Sequence, residues 1–153
     1  MKKANLLILL FFPAHLFAQD LVGKPKQEIR EHISKSFNKA DSNAWHTTET
    51  DSTIYCKSEK AGSRDAWIFE FDKKGICKIE TFHTTSEKQY LKIREEALKK
   101  KSYAWIDLNL NQYISKFEKN ILMEMQVIDQ LYSISFIKTS LDKKLYEILV
   151  EKN

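Results

Sequence analysis
The sequence predicts an α+β domain on an antiparallel sheet of about six strands, in two helix-plus-three-strand halves, with the helices on one face and a C-terminal helix. Three observations lead there. Apolar residues recur at helical spacing in some segments and alternate with period two in others. These segments follow the order helix, three strands, helix, three strands, helix. Capping and turn residues fall between them, where the chain has to start a helix or reverse.

The first eighteen residues stand apart from that pattern. Lys2 and Lys3 precede an apolar run over 6–12 that extends past Pro13 to Phe17, and Ala18 precedes the polar Gln19-Asp20. This is the layout of a secretory signal peptide (1–18) cleaved after Ala18, with Leu16 where a small residue is preferred. The run is shorter than the about 20 residues a membrane span takes, and an uncleaved anchor is the alternative reading. No cysteine follows the run to carry a lipid anchor, and no transmembrane span is expected in the mature chain. Cleavage leaves 19–153 as a single α+β domain and removes two lysines, lowering the formal charge from +4 to +2.

Residues 24–37 read as a helix, with Pro25 suited to its first position and Ile29, Ile33 and Phe37 on one face. The stretch 38–51 is polar apart from Ala44-Trp45 and reads as a loop. Strands are expected over 52–58, 66–72 and 76–83. Ser86 with Gln89 three residues on is a capping-box signature that opens a second helix to about Lys101. Further strands are expected over 112–117, 121–128 and 131–138. Thr139 with Asp142 resembles a third N-terminal box, and Leu141, Leu145, Ile148 and Leu149 form the stripe of the last helix. Asn43-Ala44-Trp45 and Tyr103-Ala104-Trp105 lie 60 residues apart, which points to a degenerate repeat over 24–83 and 86–138, with chance similarity the alternative.

The turns set which residues share a face. Asp72-Lys73-Lys74-Gly75 suits a type I turn followed by a left-handed Gly75. Phe71 then faces Cys77, Phe69 faces Ile79, Trp67 faces Thr81, and Glu70 faces Lys78 on the other side. A two-residue turn at Asp129-Gln130 sets Val127, Met125 and Met123 against Tyr132, Ile134 and Phe136. Each hairpin thereby gains one apolar and one polar face. Cys56 and Cys77 both point to the apolar face. In a meander a strand separates them by about 9–10 Å, beyond the about 7 Å a disulfide spans, so two buried thiols are expected despite export. Direct pairing of the first strand with the third would instead allow the bond.

Two segments carry a resemblance. Leu21-Val22-Gly23-Lys24-Pro25-Lys26-Gln27-Glu28-Ile29 opens the first helix, and Trp67-Ile68-Phe69-Glu70-Phe71-Asp72-Lys73-Lys74-Gly75-Ile76-Cys77 is an aromatic strand followed by a GIC turn. Together they resemble small secreted bacterial proteins of uncharacterised function. More faintly, they resemble the helix-plus-meander repeat of beta-lactamase-inhibitor-like proteins and outer-membrane-assembly lipoproteins. The resemblance implies a binding or accessory role and carries no functional residues across. The chain departs from the lipoproteins in lacking the anchor cysteine.

Composition excludes several classes. Three glycines and two prolines rule out a Rossmann fingerprint, a P-loop and a collagen-like chain, and two cysteines rule out an all-Cys zinc site or a Cys-ligated cluster. No H-E-x-x-H, C-x-x-C or G-x-S-x-G occurs. His46, Glu49 and Asp51 share a polar stretch but fit no ligand spacing, His83 and Glu80 fall on opposite strand faces, and His32 borders a helix stripe. Trp45, Trp105, Met123 and Met125 are read as core contributors rather than a binding platform. Lys99, Lys100 and Lys101 are read as a solvated helix end complementing the helix dipole, which argues against a nucleic-acid site. No catalytic, cofactor-binding or metal-ligating residue is assigned, and no cofactor is expected. The expected function is an exported, non-catalytic binding or accessory protein of the bacterial envelope, periplasmic or secreted, whose partner is another envelope or extracellular protein. A carrier of an apolar small molecule and an unrecognised periplasmic hydrolase are the alternatives.

Overall fold
The computed structural model describes residues 21–37, 45–118 and 120–151. The expected signal peptide and its cleavage point, and Asn43-Ala44, lie outside the described residues. The elements are α1 (Lys26–Phe37), β1 (Trp45–Glu49), β2 (Thr53–Ser58), β3 (Ala66–Phe71), β4 (Cys77–Thr84), α2 (Glu87–Lys99), β5 (Trp105–Asn109), β6 (Gln112–Ser115), β7 (Ile121–Ile128), β8 (Leu131–Lys138) and α3 (Lys143–Glu151). The strands form one antiparallel sheet in the order β1-β2-β3-β4-β8-β7-β6-β5.

The α+β class and the antiparallel sheet match the sequence reading, but the strands number eight rather than about six, and each half is a helix followed by four strands. The two additional strands are β1 and β5, at the ends of the strand order. Edge strands pair on one side only and bury little. Every β1 residue after Trp45 is exposed, so the segment shows no alternation to read.

One apolar cluster joins Ile29 and Ile33 of α1, Tyr90, Ile93 and Ala97 of α2, and strand residues that include Trp67, Phe69, Phe82, Met123, Ile134 and Phe136. The opposite side of the sheet is not uniformly polar. A cross-strand row of Ile79, Ile137, Leu122, Ile114 and Ile106 crosses five strands, and Ile114 is fully buried. In α2 the Ser86 hydroxyl accepts the Gln89 N–H at 3.3 Å, as the capping signature requires. The cap of α3 is Asp142, whose carboxylate accepts the Leu145 N–H at 2.8 Å. The Thr139 hydroxyl instead donates to the Asn120 carbonyl.

The β7–β8 register matches expectation pair for pair, with Asp129 and Gln130 at φ 49° and 65° in the turn. The β3–β4 register departs from it. Phe71 faces Cys77 across a turn with Gly75 at φ 72°, but Glu70 then faces Ile79, so Lys78 is an extra, bulged residue. Beyond the bulge Phe69 faces Glu80 and Trp67 faces Phe82, and Lys78 pairs with Asp72 rather than Glu70. The reason lies in parity. Cys77 and Phe82 are five residues apart, so an unbroken strand would put them on opposite faces. The bulge buries both, packs Phe82 against Trp67 with ring centroids 4.8 Å apart, and carries Glu80 to full burial.

The segment before α1 docks on this hairpin. Gly23 donates to the Cys77 carbonyl at 2.8 Å, Cys77 to the Lys24 carbonyl at 2.9 Å, and Lys26 to the Gly75 carbonyl at 2.8 Å. Pro25 and Ile76 form a β-bridge, so the segment leading into α1 packs against the β3–β4 turn. Lys26 and Arg30 of α1 both bind Glu49 of β1, and Lys26 also donates to the Thr50 carbonyl.

Three outcomes are expected. Replacing Phe69, which is 3% exposed, with Ala costs about 3–5 kcal/mol, whereas replacing the exposed Glu70 costs under about 1 kcal/mol. Chemical denaturation of both variants checks the ranking. Cys56 and Cys77 are buried and free, with β3 between their strands, so unfolded, non-reduced protein should titrate two thiols. In the folded protein Cys77 should react slowly, because burial and then Glu80 push its thiol up to about 12. The hydrogen bonds from Arg30 and then Lys26 hold Glu49 at about 2 against an ordinary 4.5. The folded state thus favours the ionised form, a contribution complete above 4.5 and lost as pH falls toward 2. The stability gap between wild type and Glu49→Gln should narrow across that window, and a gap of constant size would refute the clamp.

Candidate functional site
At the C-terminal end of α2 the chain folds back on itself. The Ala97 carbonyl accepts the Lys100 N–H at 3.2 Å and the Trp105 indole N–H at 2.9 Å, which ties the first residue of β5 to the helix. Ala104 sits between Tyr103 and Trp105 at φ 44°, a left-handed conformation that costs a residue with a Cβ about 1–2 kcal/mol. It is held by its neighbours: the Tyr103 carbonyl accepts from the Lys116 N–H at 3.0 Å and the Ser115 hydroxyl at 2.8 Å. The reversal stacks the Tyr103 and Trp105 rings at 4.7 Å with an interplanar angle of 1°. Lys100 Nζ lies 5.5 Å from the Tyr103 ring centre, a cation–π contact. Tyr146 of α3 donates its hydroxyl to the Ser115 and Lys116 carbonyls, at 2.7 and 2.9 Å.

Between these parts lies an open groove of about 680 Å³. Its apolar lining is Leu98, Ala104, Trp105, Ile106, Phe117 and Val150, and its titratable lining groups among the described residues are Lys99, Lys100, Lys101 and Lys116. Lys99 pairs with Glu95 at 2.5 Å, while Lys101 and Lys116 have no ion-pair partner among the described residues. Phe117 is 65% exposed. The arrangement offers positive charge beside a pre-set aromatic surface, and among the described residues no carboxylate, imidazole or thiol lines the groove.

The residues weighed from sequence are dispersed. His46 is exposed on β1 with Glu59 at 4.0 Å, and alternation puts it on the opposite side of the strand from Glu49, which Lys26 and Arg30 hold. Asp51 lies in the β1–β2 turn. His32 Nε2 meets the Ser36 hydroxyl at 3.3 Å. Glu80 is buried within the apolar side, while His83 faces the other way, its pKa lowered by burial. Met123 and Met125 are core, and Trp45 and Trp105 pack half-buried against it. Trp105 also lines the groove, as do the three lysines read as a solvated helix end. The sequence reading missed Lys116 and Phe117 as partners of those lysines. The available signal was the YAW motif, since whatever positions Trp105 also positions its neighbours. Among the described residues no helix is long and apolar enough to cross a membrane. Comparison with protein-family models, with curated proteins and with solved structures finds no match to this chain.

Proposed function
We propose that the chain is a small exported binding protein of the bacterial envelope and that the lysine-rimmed groove is its contact surface. The observation that carries this reading is the groove's lining, in which lysines and apolar side chains meet around a fixed indole. Such a surface supports binding. In this reading α1 and α2 both cover the clustered face of the sheet, and the helix-plus-meander halves place the groove where α2 hands over to β5. The signal-peptide layout of residues 1–18 and the resemblance to secreted proteins support an envelope location.

The test uses the full chain produced by its native export route. Immobilised exported protein should retain an envelope component, and Lys116→Glu with Phe117→Asp should abolish the retention. Lys57→Glu, which reverses the charge of an exposed lysine on β2, should leave it intact. Retention that survives the groove variants would remove the groove from the reading, and a chain confined to the cytosol would remove the export.

A further inference from the structure
Resting on the binding reading above, we propose that the groove takes a single-chain anionic amphiphile, a long-chain carboxylate or monoacyl phosphate. The headgroup lies on the lysine rim and the chain lies along Trp105, Ile106, Leu98 and Val150. Charge is the first argument. Lys100, Lys101 and Lys116 add to a helix C-terminus whose own partial charge is only about −0.5, and the Trp105 indole and the Lys100 N–H already occupy the Ala97 carbonyl. Among the described residues the charged groups that line the groove are all cationic.

The fold does not impose that charge. Trp45 faces Ser58 in the first half in the same register as Trp105 faces Ser115 in the second. Yet the residues that follow differ. His46 and Glu59 occupy the places that Ile106 and Lys116 take in the second half, and they make an acid–imidazole pair at 4.0 Å instead of a lysine beside an aliphatic wall. At these two compared positions, the cation beside an aliphatic side chain is a feature of the second half.

Two competing ligands fit less well. A bare inorganic anion would leave the apolar lining and the exposed Phe117 without a role. An acidic peptide added to the β5 edge would run into exposed Asp107 and into the register break between Asp107 and Asn109. A volume of about 680 Å³ suits one small molecule, and lysine stems can line such a groove while their ammonium groups reach its rim.

The experiment is calorimetric titration of the full chain with laurate and with dodecyl phosphate, each below its micelle concentration. Dodecyl maltoside, inorganic phosphate, a glutamate-rich peptide and phosphatidylglycerol vesicles are titrated in parallel. Both amphiphiles should bind one per chain, and binding should weaken as salt rises. Lys101→Glu with Lys116→Glu should weaken it at least about tenfold, Phe117→Ala should weaken it less, and Lys57→Glu should leave it unchanged. The lysines and Phe117 are surface groups, so an unchanged thermal midpoint shows that each variant is folded. Equal affinity for the maltoside, indifference to the double variant, or binding only to phosphate, peptide or vesicles would each overturn the proposal. If envelope material is still retained through the groove while laurate and dodecyl phosphate fail, the ligand class falls and the binding reading stands. If retention fails as well, both fall.

Discussion
Six residue pairs between β4 and β8, from Ile79 with Ile137 to Thr84 with Tyr132, join two four-stranded meanders into one sheet. A four-stranded meander with a single helix buries little apolar area, and small units of that kind are marginal on their own. The seam changes this by setting the innermost strand of each half beside the other. Phe82 of β4 comes opposite Ile134 of β8, Glu80 comes opposite Phe136, and the helices of both halves reach one apolar cluster. Tyr90 of α2 packs against Tyr132 of β8 in a tilted ring pair with centroids 5.1 Å apart, so the second helix is held close to the seam.

The seam also explains why β4 tolerates an irregularity. Its outer neighbour β3 could pair with it in a regular register, but that register would turn Phe82 away from the cluster. Bulging at Lys78 costs one ladder position and moves a carboxylate inside, while it brings an aromatic side chain to full burial at the middle of the sheet. Burial of a large apolar side chain is worth about 1.5–3 kcal/mol, enough to decide a local register. The carboxylate is felt nearby, since Glu80 adds to the upward displacement of the Cys77 thiol.

These two features divide what could be read in the chain from what could not. The β7–β8 hairpin was legible because Met123, Met125 and Val127 alternate with Glu124 and Gln126 without a break, and a two-residue turn leaves one register. The β3 segment was equally clear, but β4 carries two incompatible parities, and only the packing of Phe82 on Trp67 shows which one prevails on each side of Lys78. β1 and β5 were illegible for a different reason. A strand at the edge of a sheet needs few buried positions, so His46-Thr47-Thr48-Glu49 has the composition of a loop. The groove was hidden with them, because it depends on Trp105 being the first residue of an edge strand and on Lys116 following Ser115, its cross-strand partner.

The groove raises a question of composition that packing alone does not answer. Lysines in the last turn of a helix offset its dipole, and on that ground Lys99, Lys100 and Lys101 require no partner. Lys116 has no such excuse, since it follows a β-strand and is exposed. It stands where the first half has Glu59, and a glutamate there would have offset part of the charge of the lysine run instead of adding to it. Keeping Lys116 beside Phe117 adds positive charge next to Lys101, which disfavours the isolated protein slightly at low ionic strength. A surface that holds its own charges together in this way gains most when an opposite charge arrives. The fixed indole of Trp105 gives that charge an apolar surface against which to place the rest of its molecule.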